Sequence, residues 1–367
     1  MDTNAFASTH ADLAPQQLDH AIALAARFYV EPGMAARDRS AIFDRGWQLL
    51  AHTCQLRDAG DHVVADFAGL PVLAVRGVDG QIRAFHNVCR HRAGPIARCD
   101  GLAAKSLRCR YHGWTYTLEG ALRSAPEMDT AADFDMSAIH LPQLAVRVWQ
   151  GLVFAAVAEA DAPPFEAFVA GIDARLGPDR GLADYAHHHR IGYDVACNWK
   201  VYVDNYLEGY HVPHIHPGLN QLLDYRSYIT ETARWHSHQF SPLESSGSLY
   251  GDGDALYYWL WPNTMLNILP GRLQTNRVVP LGVDRCRVEF DFYYTPDDSG
   301  EARARREADL AFSDEVQRED LTICEEVQRG LASGSYRPGR LNPLRENAVH
   351  HFHELLRAAY RGAATTL

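Results

Sequence analysis

The chain has 367 residues, 47% hydrophobic and 22% charged, a composition typical of a globular protein with one or two sizeable cores. Its 35 Lys and Arg against 46 Asp and Glu give a formal charge of −11, which repels a phosphate backbone and argues against nucleic acid as a partner. No run of about 18 apolar residues is present, so the sequence predicts no membrane span.

The first predicted element is a helix, from the spacing of apolar residues over 15–30. From Trp47 the sequence changes to short β-like runs separated by Gly, Asp and Pro, which predicts a small all-β domain over 46–157. The prolines at 163 and 164 are a candidate boundary after it. The remainder mixes helices and strands, with helices at 198–212 and 301–332 and strands at 256–269 and 284–295. This pattern predicts an α+β protein whose antiparallel sheet is covered by helices.

The N-terminus and the cysteines bear on the cellular compartment. Met1 to Gln17 are polar and lack the basic start and apolar centre of a signal peptide. Seven cysteines, an odd number spread over a long chain, favour reduced thiols and metal ligation over a disulfide framework. Both observations predict a cytoplasmic protein.

A first group of metal-ligating residue types lies inside the predicted β domain. Cys89 and His91 form a Cys-x-His pair, and Cys109 and His112 form a Cys-x-x-His pair after 17 intervening residues. Two loops that each offer one thiolate and one imidazole suit a two-iron cluster, with sulfur on one iron and nitrogen on the other. Zinc is the alternative, although zinc modules usually pair like residues within each loop.

A second group follows in NWKVYVDNYLEGYHVPHIHP, where three histidines lie within six residues and next to two carboxylates. Helical spacing predicts that Asp204, Glu208 and His211 share one helix face. A proline then ends that helix, so His214 and His216 are predicted in the following turn. Histidines that merely lie at the surface are the alternative to a metal site.

A facial triad of two histidines and one carboxylate needs a third ligand from elsewhere in the chain. Asp320 is the candidate, because it lies on the predicted apolar stripe of the 301–332 helix, with residues 316, 323, 327 and 331. A buried carboxylate costs several kcal/mol unless it is paired, and a metal is a natural partner. An exposed Asp at the helix edge is the alternative, because several glutamates lie nearby.

The residues that flank both groups resemble one family. The motifs are C-R-H-R and C-x-Y-H-G-W-T-Y in the first group, and N-W-K-x-x-x-D-N-Y-L-E-x-Y-H-x-x-x-x-H-P with Q-R-E-D-x-x-x-C-E-x-V-Q-R-G-L in the second. They resemble the Rieske non-haem iron oxygenases, most of all the branch of choline monooxygenase, carnitine oxygenase and glycine betaine demethylases. The resemblance covers about Phe28 to Tyr360.

The resemblance implies a domain organisation and a set of site residues. It implies a Rieske [2Fe-2S] domain at 46–157, a catalytic domain of the helix-grip (START-like) type at 158–367, and a helical segment at 1–45 that packs on the catalytic domain. The implied cluster ligands are Cys89, His91, Cys109 and His112, and the implied ligands of a mononuclear Fe(II) are His211, His216 and Asp320. Cys99 and His214 match no ligand position. Glu208 matches the acidic bridge between the metal centres and, with Asn205, is a candidate catalytic residue.

The chain contains no nicotinamide, flavin or plant-type ferredoxin signature, so electrons from NAD(P)H are expected to arrive through a separate reductase. The resemblance implies that O2 reacts at the iron beside a small-molecule substrate. It also implies a homotrimer in which His112 of one subunit faces Glu208 of the next. A Rieske electron carrier is the rival from another class, and the second group of ligands argues against it.

The branch of the family implies hydroxylation or N-demethylation of a quaternary or tertiary ammonium compound of the choline, carnitine or betaine kind. The negative net charge is compatible with that, and so are aromatic residues near the presumed pocket, since ring faces attract ammonium groups. Tyr206 and Trp259 are the predicted substrate contacts. Alternating aromatics are also typical of any buried strand. Ring hydroxylation or O-demethylation of an aromatic substrate is the alternative activity.

Overall fold

The structure is a computed structural model that describes residues 12–177, 181–243, 249–250 and 253–364. Residues 1–11, on which most of the signal-peptide prediction rests, lie outside the described residues. The described residues fall into two compact units. The smaller unit contains the described parts of 44–165 and 171–187, and the larger contains those of 1–43, 166–170 and 188–367.

Nine α-helices and sixteen strands are found in the described part of the chain. The helices are α1 Arg27–Val30, α2 Met34–Ala41, α3 Phe165–Phe168, α4 Ile172–Leu176, α5 Trp199–Tyr206, α6 Val212–Ile215, α7 Pro217–Leu222, α8 Gly300–Ala332 and α9 Asn347–Ala364. The strands are β1 Gln48–His52, β2 His62–Phe67, β3 Leu70–Arg76, β4 Ile82–His86, β5 Leu107–Arg108, β6 Thr115–Tyr116, β7 Leu122–Ser124, β8 Gln143–Trp149, β9 Leu152–Ala156, β10 Ala186–Val195, β11 Ile229–Thr232, β12 His236–Pro242, β13 Asp254–Leu260, β14 Thr264–Leu269, β15 Arg272–Pro280 and β16 Cys286–Tyr294.

The smaller unit is built from two antiparallel sheets. Six strands follow the order β1-β9-β8-β4-β3-β2, and three short strands follow the order β5-β6-β7. One apolar core of this unit joins residues of β3 and β4, such as Leu73 and Phe85, to Cys89 and Cys109. The loops that carry the two cysteines are therefore held by apolar packing against the strands.

The larger unit contains one seven-stranded antiparallel sheet in the order β10-β16-β15-β14-β13-β12-β11. Helix α5 contacts β15 and α8, and α9 contacts β11 and α2. The predicted α+β class with a helix-covered sheet is confirmed, and so is the long helix, which begins where the Ser299 hydroxyl accepts a hydrogen bond from Ala302 N at 3.1 Å. None of the described helices is long and apolar enough to cross a membrane.

The helix predicted over 15–30 is wrong for most of its length. The chain forms a short 3-10 helix at Leu18–His20 and resumes as α1 only at Arg27. Between them Ile22 forms a β-bridge with Arg340, and Ala23 N donates to Gly339 O at 2.9 Å. Pairing with a distant segment satisfies these backbone groups, so tertiary contacts override the local helical spacing.

A buried carboxylate joins three helices of the larger unit. Asp38 in α2 accepts hydrogen bonds from Trp199 Nε1 at 2.7 Å, from Lys200 Nζ in α5, and from the Tyr360 hydroxyl in α9 at 2.6 Å. Asp38 is 2% exposed and Lys200 is 0% exposed. Burial lowers the pKa of Lys200, and Asp38 opposes that shift.

We expect Asp38→Ala to lower the free energy of unfolding by about 3–5 kcal/mol, because it leaves the Lys200 charge buried without a partner. Urea unfolding followed by tryptophan fluorescence measures the loss. The matched control is Asp194→Ala, which breaks an exposed ion pair with Arg287 and should cost less than about 1 kcal/mol. Equal losses in the two variants would contradict the expectation.

Candidate metal centres and substrate cavity

The first ligand group lies in two loops of the smaller unit. Cys89 and His91 follow β4, while Cys109 directly follows β5 and His112 lies in the turn before β6. Both loops turn tightly, with Cys89 N bonded to Gly94 O at 2.8 Å and Gly113 N bonded to Cys109 O at 3.1 Å. A Cβ on Gly94 would lie 3.0 Å from Cys109 Sγ. A larger residue at position 94 would therefore crowd Cys109 where the two loops meet.

The side chains of the two loops face one another. The imidazole rings of His91 and His112 have centroids 4.6 Å apart, and the His91 ring stacks on Trp114 at 4.8 Å. Both cysteines are buried, and burial, together with the neighbouring Cys89 thiol, raises the pKa of Cys109. Cys89 Sγ lies 3.2 Å from the Tyr116 hydroxyl. Cys99 is exposed and lies outside this core.

The donor set fits a [2Fe-2S] cluster. His91 Nδ1 is buried and has no hydrogen-bond partner among the described residues. A buried nitrogen of this kind needs a ligand, and a metal supplies one. Burial in apolar surroundings also disfavours the charged thiolate form of the two cysteines. Two ferric ions would provide the positive charge that stabilises both thiolates.

The second group is arranged differently from the helical prediction. Helix α5 ends at Tyr206, so Glu208 and His211 lie in the turn after it rather than on its face. The Glu208 carboxylate accepts hydrogen bonds from the backbone of Tyr210 and, at 3.1 Å, from that of His211, which caps the chain as it enters α6. Pro213 does not end a helix but lies in the first turn of α6, where no backbone N–H is needed.

Three side chains meet at one point in the larger unit. Ligand atoms of His211, His216 and Asp320 all lie within 4.8 Å of one another. His216 Nε2 lies 3.1 Å from Asp320 Oδ1, and His211 Nε2 lies 3.8 Å from the same oxygen. His214 is exposed and lies outside this group. Two imidazoles and one carboxylate in this arrangement fit a facial triad for non-haem iron.

The buried face of α8 is more polar than the sequence predicted, and Leu331 is the one apolar residue of the predicted stripe that is buried. The buried residues of α8 include Asp309, Ser313, Gln317 and Gln328, whereas Val327 is 44% exposed. Ser313, Gln317 and Asp320 line a cavity instead of a dry core, so polar side chains are tolerated on this part of the helix face. Asp320 is only partly buried, with 16% of its side chain exposed.

Each of the three ligand side chains has a partner that orients it. His211 Nδ1 lies 2.6 Å from Glu208 Oε1, and His216 Nδ1 lies 2.7 Å from Glu319 Oε2. Asn205 Nδ2 donates to Asp320 Oδ1 at 2.6 Å. The sequence analysis did not identify Glu319 as a site residue, because its only signal in the sequence is its position next to Asp320. Such partners hold ligand rings in one tautomer and raise their basicity.

We expect Glu319→Gln to weaken iron binding at the three-residue group about 10–100-fold, because His216 loses its charged acceptor. Titration of the apoprotein with Fe(II) measures the affinity, while the visible spectrum reports the cluster separately. Glu326, an exposed glutamate on the same helix paired with Arg329, is the matched control. Unchanged iron affinity in Glu319→Gln would show that His216 needs no such partner.

Carboxylates make the surroundings of this group negative. Burial lowers the pKa of His216, but the hydrogen bonds and charges of Asp320 and Glu319 outweigh burial and raise it. Glu208 adds a further carboxylate beside His211. A metal cation fits this field, and so does a cationic substrate nearby.

A cavity of about 130 Å³ adjoins the ligand group, and His211, His216 and Asp320 form part of its wall. Aromatic rings line much of the rest, namely Tyr202, Tyr206, Tyr228, Tyr250, Tyr257, Phe290 and Phe312. Three of the hydroxyl groups donate to amide oxygens of the same wall: Tyr202 to Gln317 at 2.7 Å, Tyr206 to Asn267 at 2.7 Å and Tyr228 to Gln239 at 2.8 Å. These bonds fix the orientation of the rings.

Of the two predicted substrate contacts, Tyr206 lines the cavity and Trp259 is not among the lining residues. Trp259 is 0% exposed, its ring lies 5.2 Å from that of Phe352 in α9, and its Nε1 donates to Pro262 O at 3.1 Å. Tyr257 and Trp259 are two residues apart in β13, so their side chains point to the same face of the sheet. Helix α9 covers that face at Trp259. Tyr228 and Phe312, which line the cavity, carried no signal in the sequence.

Two family models match the regions of the chain that contain the two groups of candidate ligands. Residues 46–144 match the Rieske [2Fe-2S] domain, and residues 182–362 match the catalytic domain of the ring hydroxylating alpha subunit. The choline monooxygenase of Arabidopsis thaliana is 35% identical over 90% of this chain and 81% of its own length. The oxygenase subunit of carnitine monooxygenase from Escherichia coli K12 is 31% identical over 92% of this chain and 93% of its own.

A solved structure is similar along almost the whole chain. It is a quaternary ammonium Rieske monooxygenase studied for carnitine oxidation by gut microbiota and for inter-subunit electron transfer. It covers 94% of this chain and 97% of its own, with a TM-score of 0.86 and 28% identity. The chain therefore belongs to the Rieske non-haem iron oxygenases. It is an oxidoreductase whose cofactors are a Rieske [2Fe-2S] cluster and a mononuclear iron, and the donor sets of this chain fit both.

Proposed function

We propose that the chain is the oxygenase subunit of a monooxygenase that hydroxylates or N-demethylates a quaternary or tertiary ammonium compound of the choline, carnitine or betaine kind. The observation that carries the proposal is the cavity of fixed aromatic rings beside a carboxylate-rich ligand group. The choline and carnitine monooxygenases among its relatives support the same chemistry.

The ligand roles follow from the two donor sets. Cys89, Cys109, His91 and His112 would hold the cluster, and His211, His216 and Asp320 would hold Fe(II). When bound, the two groups supply single electrons and activate O2 for insertion of an oxygen atom into a substrate C–H bond. The domain assignment is part of the proposal, with the cluster in 46–157, the iron in 158–367 and 1–45 packed on the catalytic domain.

The rings of the cavity bind the ammonium group. The ring faces of Tyr206, Tyr228 and Tyr257 attract a trimethylammonium group. Each such cation–π contact contributes about 0.5–2 kcal/mol to binding, depending on desolvation. Glu208 and Asp320 add negative charge at the end of the cavity where the ligand group lies. Together these side chains hold the carbon atoms next to the nitrogen close to the ligand group.

Two partners complete the activity. A separate reductase supplies electrons from NAD(P)H, as the subunit nature of the Escherichia coli relative suggests. We propose a homotrimer in which Glu208 accepts a hydrogen bond from His211 of its own chain and another from His112 of the partner subunit. A carboxylate between two ligand imidazoles fixes both rings and couples the two metal centres.

Oxygen uptake across a substrate panel tests the proposal. Protein loaded with Fe(II) and supplied with NADH and a surrogate reductase is offered choline, betaines, tertiary amines and aromatic acids, and formaldehyde and aldehydes are measured as products. We expect product formation with at least one ammonium compound and none with Asp320→Ala, which controls for oxygen uptake by the cluster alone. Preference for an aromatic substrate over every ammonium compound would support ring hydroxylation or O-demethylation instead.

A further inference from the structure

The polar stripe of α8 continues along the cavity, away from the ligand group. Asp309, Ser313, Gln317 and Asp320 are spaced by four, four and three residues, so they share one face of the helix. At about 1.5 Å per residue, Asp309 lies roughly 16 Å along the helix axis from Asp320. Ser313, Gln317 and Asp320 line the cavity.

Strand β15 presents a matching set of polar side chains. Arg272, Gln274 and Asn276 alternate onto one face of the strand and line the same cavity. Gln274 Oε1 accepts hydrogen bonds from Ser313 Oγ at 3.2 Å and from the Arg272 guanidinium, and Gln274 Nε2 donates to Asn276 Oδ1 at 2.8 Å. We call Arg272, Gln274, Ser313 and Gln317 the polar row.

Arg272 brings a buried positive charge to this row. It is 5% exposed, and its Nε donates to Asp309 Oδ2 at 2.7 Å. The Asp309 carboxylate also accepts hydrogen bonds from the hydroxyl groups of Tyr250 and Tyr294, so its charge is shared among three donors. Burial lowers the pKa of Arg272, but Tyr250 and Asp309 outweigh burial and keep it raised, so the guanidinium stays charged.

Gln317 brings a hydrogen-bond donor that no side chain uses. Its Oε1 accepts the Tyr202 hydroxyl at 2.7 Å, while its Nε2 is buried and has no partner among the described residues. Gln317 is 2% exposed and lines the cavity. An unpaired buried donor is costly, and an acceptor oxygen on a bound ligand removes that cost.

We propose that the polar row binds the anionic tail of a zwitterionic substrate, with Gln317 Nε2 donating to a carboxylate oxygen in the part of the cavity that the Arg272 guanidinium lines. The ammonium end then lies among Tyr206, Tyr228 and Tyr257, beside the ligand group. This inference rests on the proposed function and narrows it to ammonium compounds that carry a carboxylate. Choline ends in a neutral hydroxyl and cannot use the charge of Arg272.

Calorimetric titration of the iron-loaded, oxidised protein without reductase tests the inference, because no turnover occurs. The ligands are trimethylammonio carboxylates of increasing chain length, the primary amides of the same acids, and choline. We expect the wild type to bind the best carboxylate about tenfold or more tightly than its amide, since hydrogen bonds to charged groups are the stronger ones. The amide keeps the size and the ammonium group, removes the negative charge and replaces one acceptor oxygen by an NH2 group.

Gln317→Glu is the sharpest variant, because it keeps the volume and the acceptor for Tyr202 and replaces the free donor by a negative charge. We expect carboxylate binding to weaken about 10–100-fold, whereas choline binding is unchanged or tighter. A second variant, Arg272→Gln with Asp309→Asn, removes the buried charge pair as a unit and should abolish the preference for carboxylate over amide. Removing both partners avoids an unpaired buried charge.

The matched control is Arg277→Gln with Glu289→Gln, an ion pair on β15 and β16 in which Arg277 is buried and Glu289 is half-buried, and whose residues do not line the cavity. It should keep the preference for the carboxylate. Equal binding of carboxylate and amide by the wild type, or equal losses of carboxylate and choline binding in Gln317→Glu, would overturn the inference while the proposed function stands. A wild type that binds none of the ammonium compounds would end the proposed function itself.

Discussion

Replacing Glu208 by glutamine is expected to abolish turnover while both iron centres stay loaded. The variant keeps the size of the side chain but loses its charge. Glu208 Oε1 lies 2.6 Å from His211 Nδ1, and Oε2 accepts the backbone N–H of His211 at 3.1 Å. A glutamine has one acceptor oxygen for these two donors, so it cannot serve both and also accept from His112 of the partner subunit. We expect the turnover rate to fall on the order of 100-fold or more.

Three measurements separate this effect from loss of metal. With Fe(II) in excess, iron content and the visible spectrum of Glu208→Gln should match those of the wild type, and calorimetric binding of the substrate should be retained. Oxidation of the pre-reduced cluster in the presence of substrate and O2 should be slowed. Glu319→Gln is the contrasting variant, because excess Fe(II) should restore its activity and should not restore that of Glu208→Gln. Near-normal turnover of Glu208→Gln, or a fully active monomer, would rule out the proposed bridge.

Replacing Cys109 by serine is expected to remove the cluster altogether. The purified wild type should be red-brown and contain about three irons per chain, two in the cluster and one at the facial triad. Cys109→Ser should be colourless, retain about one iron and show no turnover, since a serine hydroxyl does not replace a thiolate on ferric iron. Absorbance, electron paramagnetic resonance of the reduced protein and metal analysis measure the loss.

Cys99→Ser is the matched control for that experiment. Cys99 lies between the two ligand loops in the sequence but is exposed in the structure, outside the core that contains Cys89 and Cys109. Its replacement should leave the colour and the iron content unchanged. A colourless wild type that contains zinc would support the tetrahedral zinc alternative and refute the assignment of the cluster.

The grouping of the candidate cluster ligands could be predicted because it depends on short spacings, whereas their assignment to iron came from the family resemblance. Cys89 with His91, and Cys109 with His112, are each two or three residues apart, so each loop brings its own pair together whatever the rest of the fold does. The 33-residue helix α8 was also predictable, because its capping residue and its helix-forming composition are local. The α+β class followed from the order of such elements.

Helices predicted from local spacing were wrong where long-range or side-chain contacts compete with the helical hydrogen bonds. Residues 21–23 pair with a segment more than 300 residues away instead of forming a helix. The Glu208 carboxylate caps the backbone after Tyr206, so α5 stops before the residues that helical spacing placed on it. In both places a hydrogen bond from another part of the chain, or from a side chain, satisfies backbone groups that a helix would otherwise pair.

The composition of the cavity wall depended on the tertiary structure alone. A strand pattern assigns Tyr257 and Trp259 to the same face, but only the position of α9 decides that Tyr257 meets the cavity and Trp259 meets Phe352. The partners of the ligands, such as Glu319, and the polar row from Arg272 to Gln317 likewise join residues from separate elements. Sequence periodicity shows which residues share a face of one element, whereas the packing of the elements decides what that face meets.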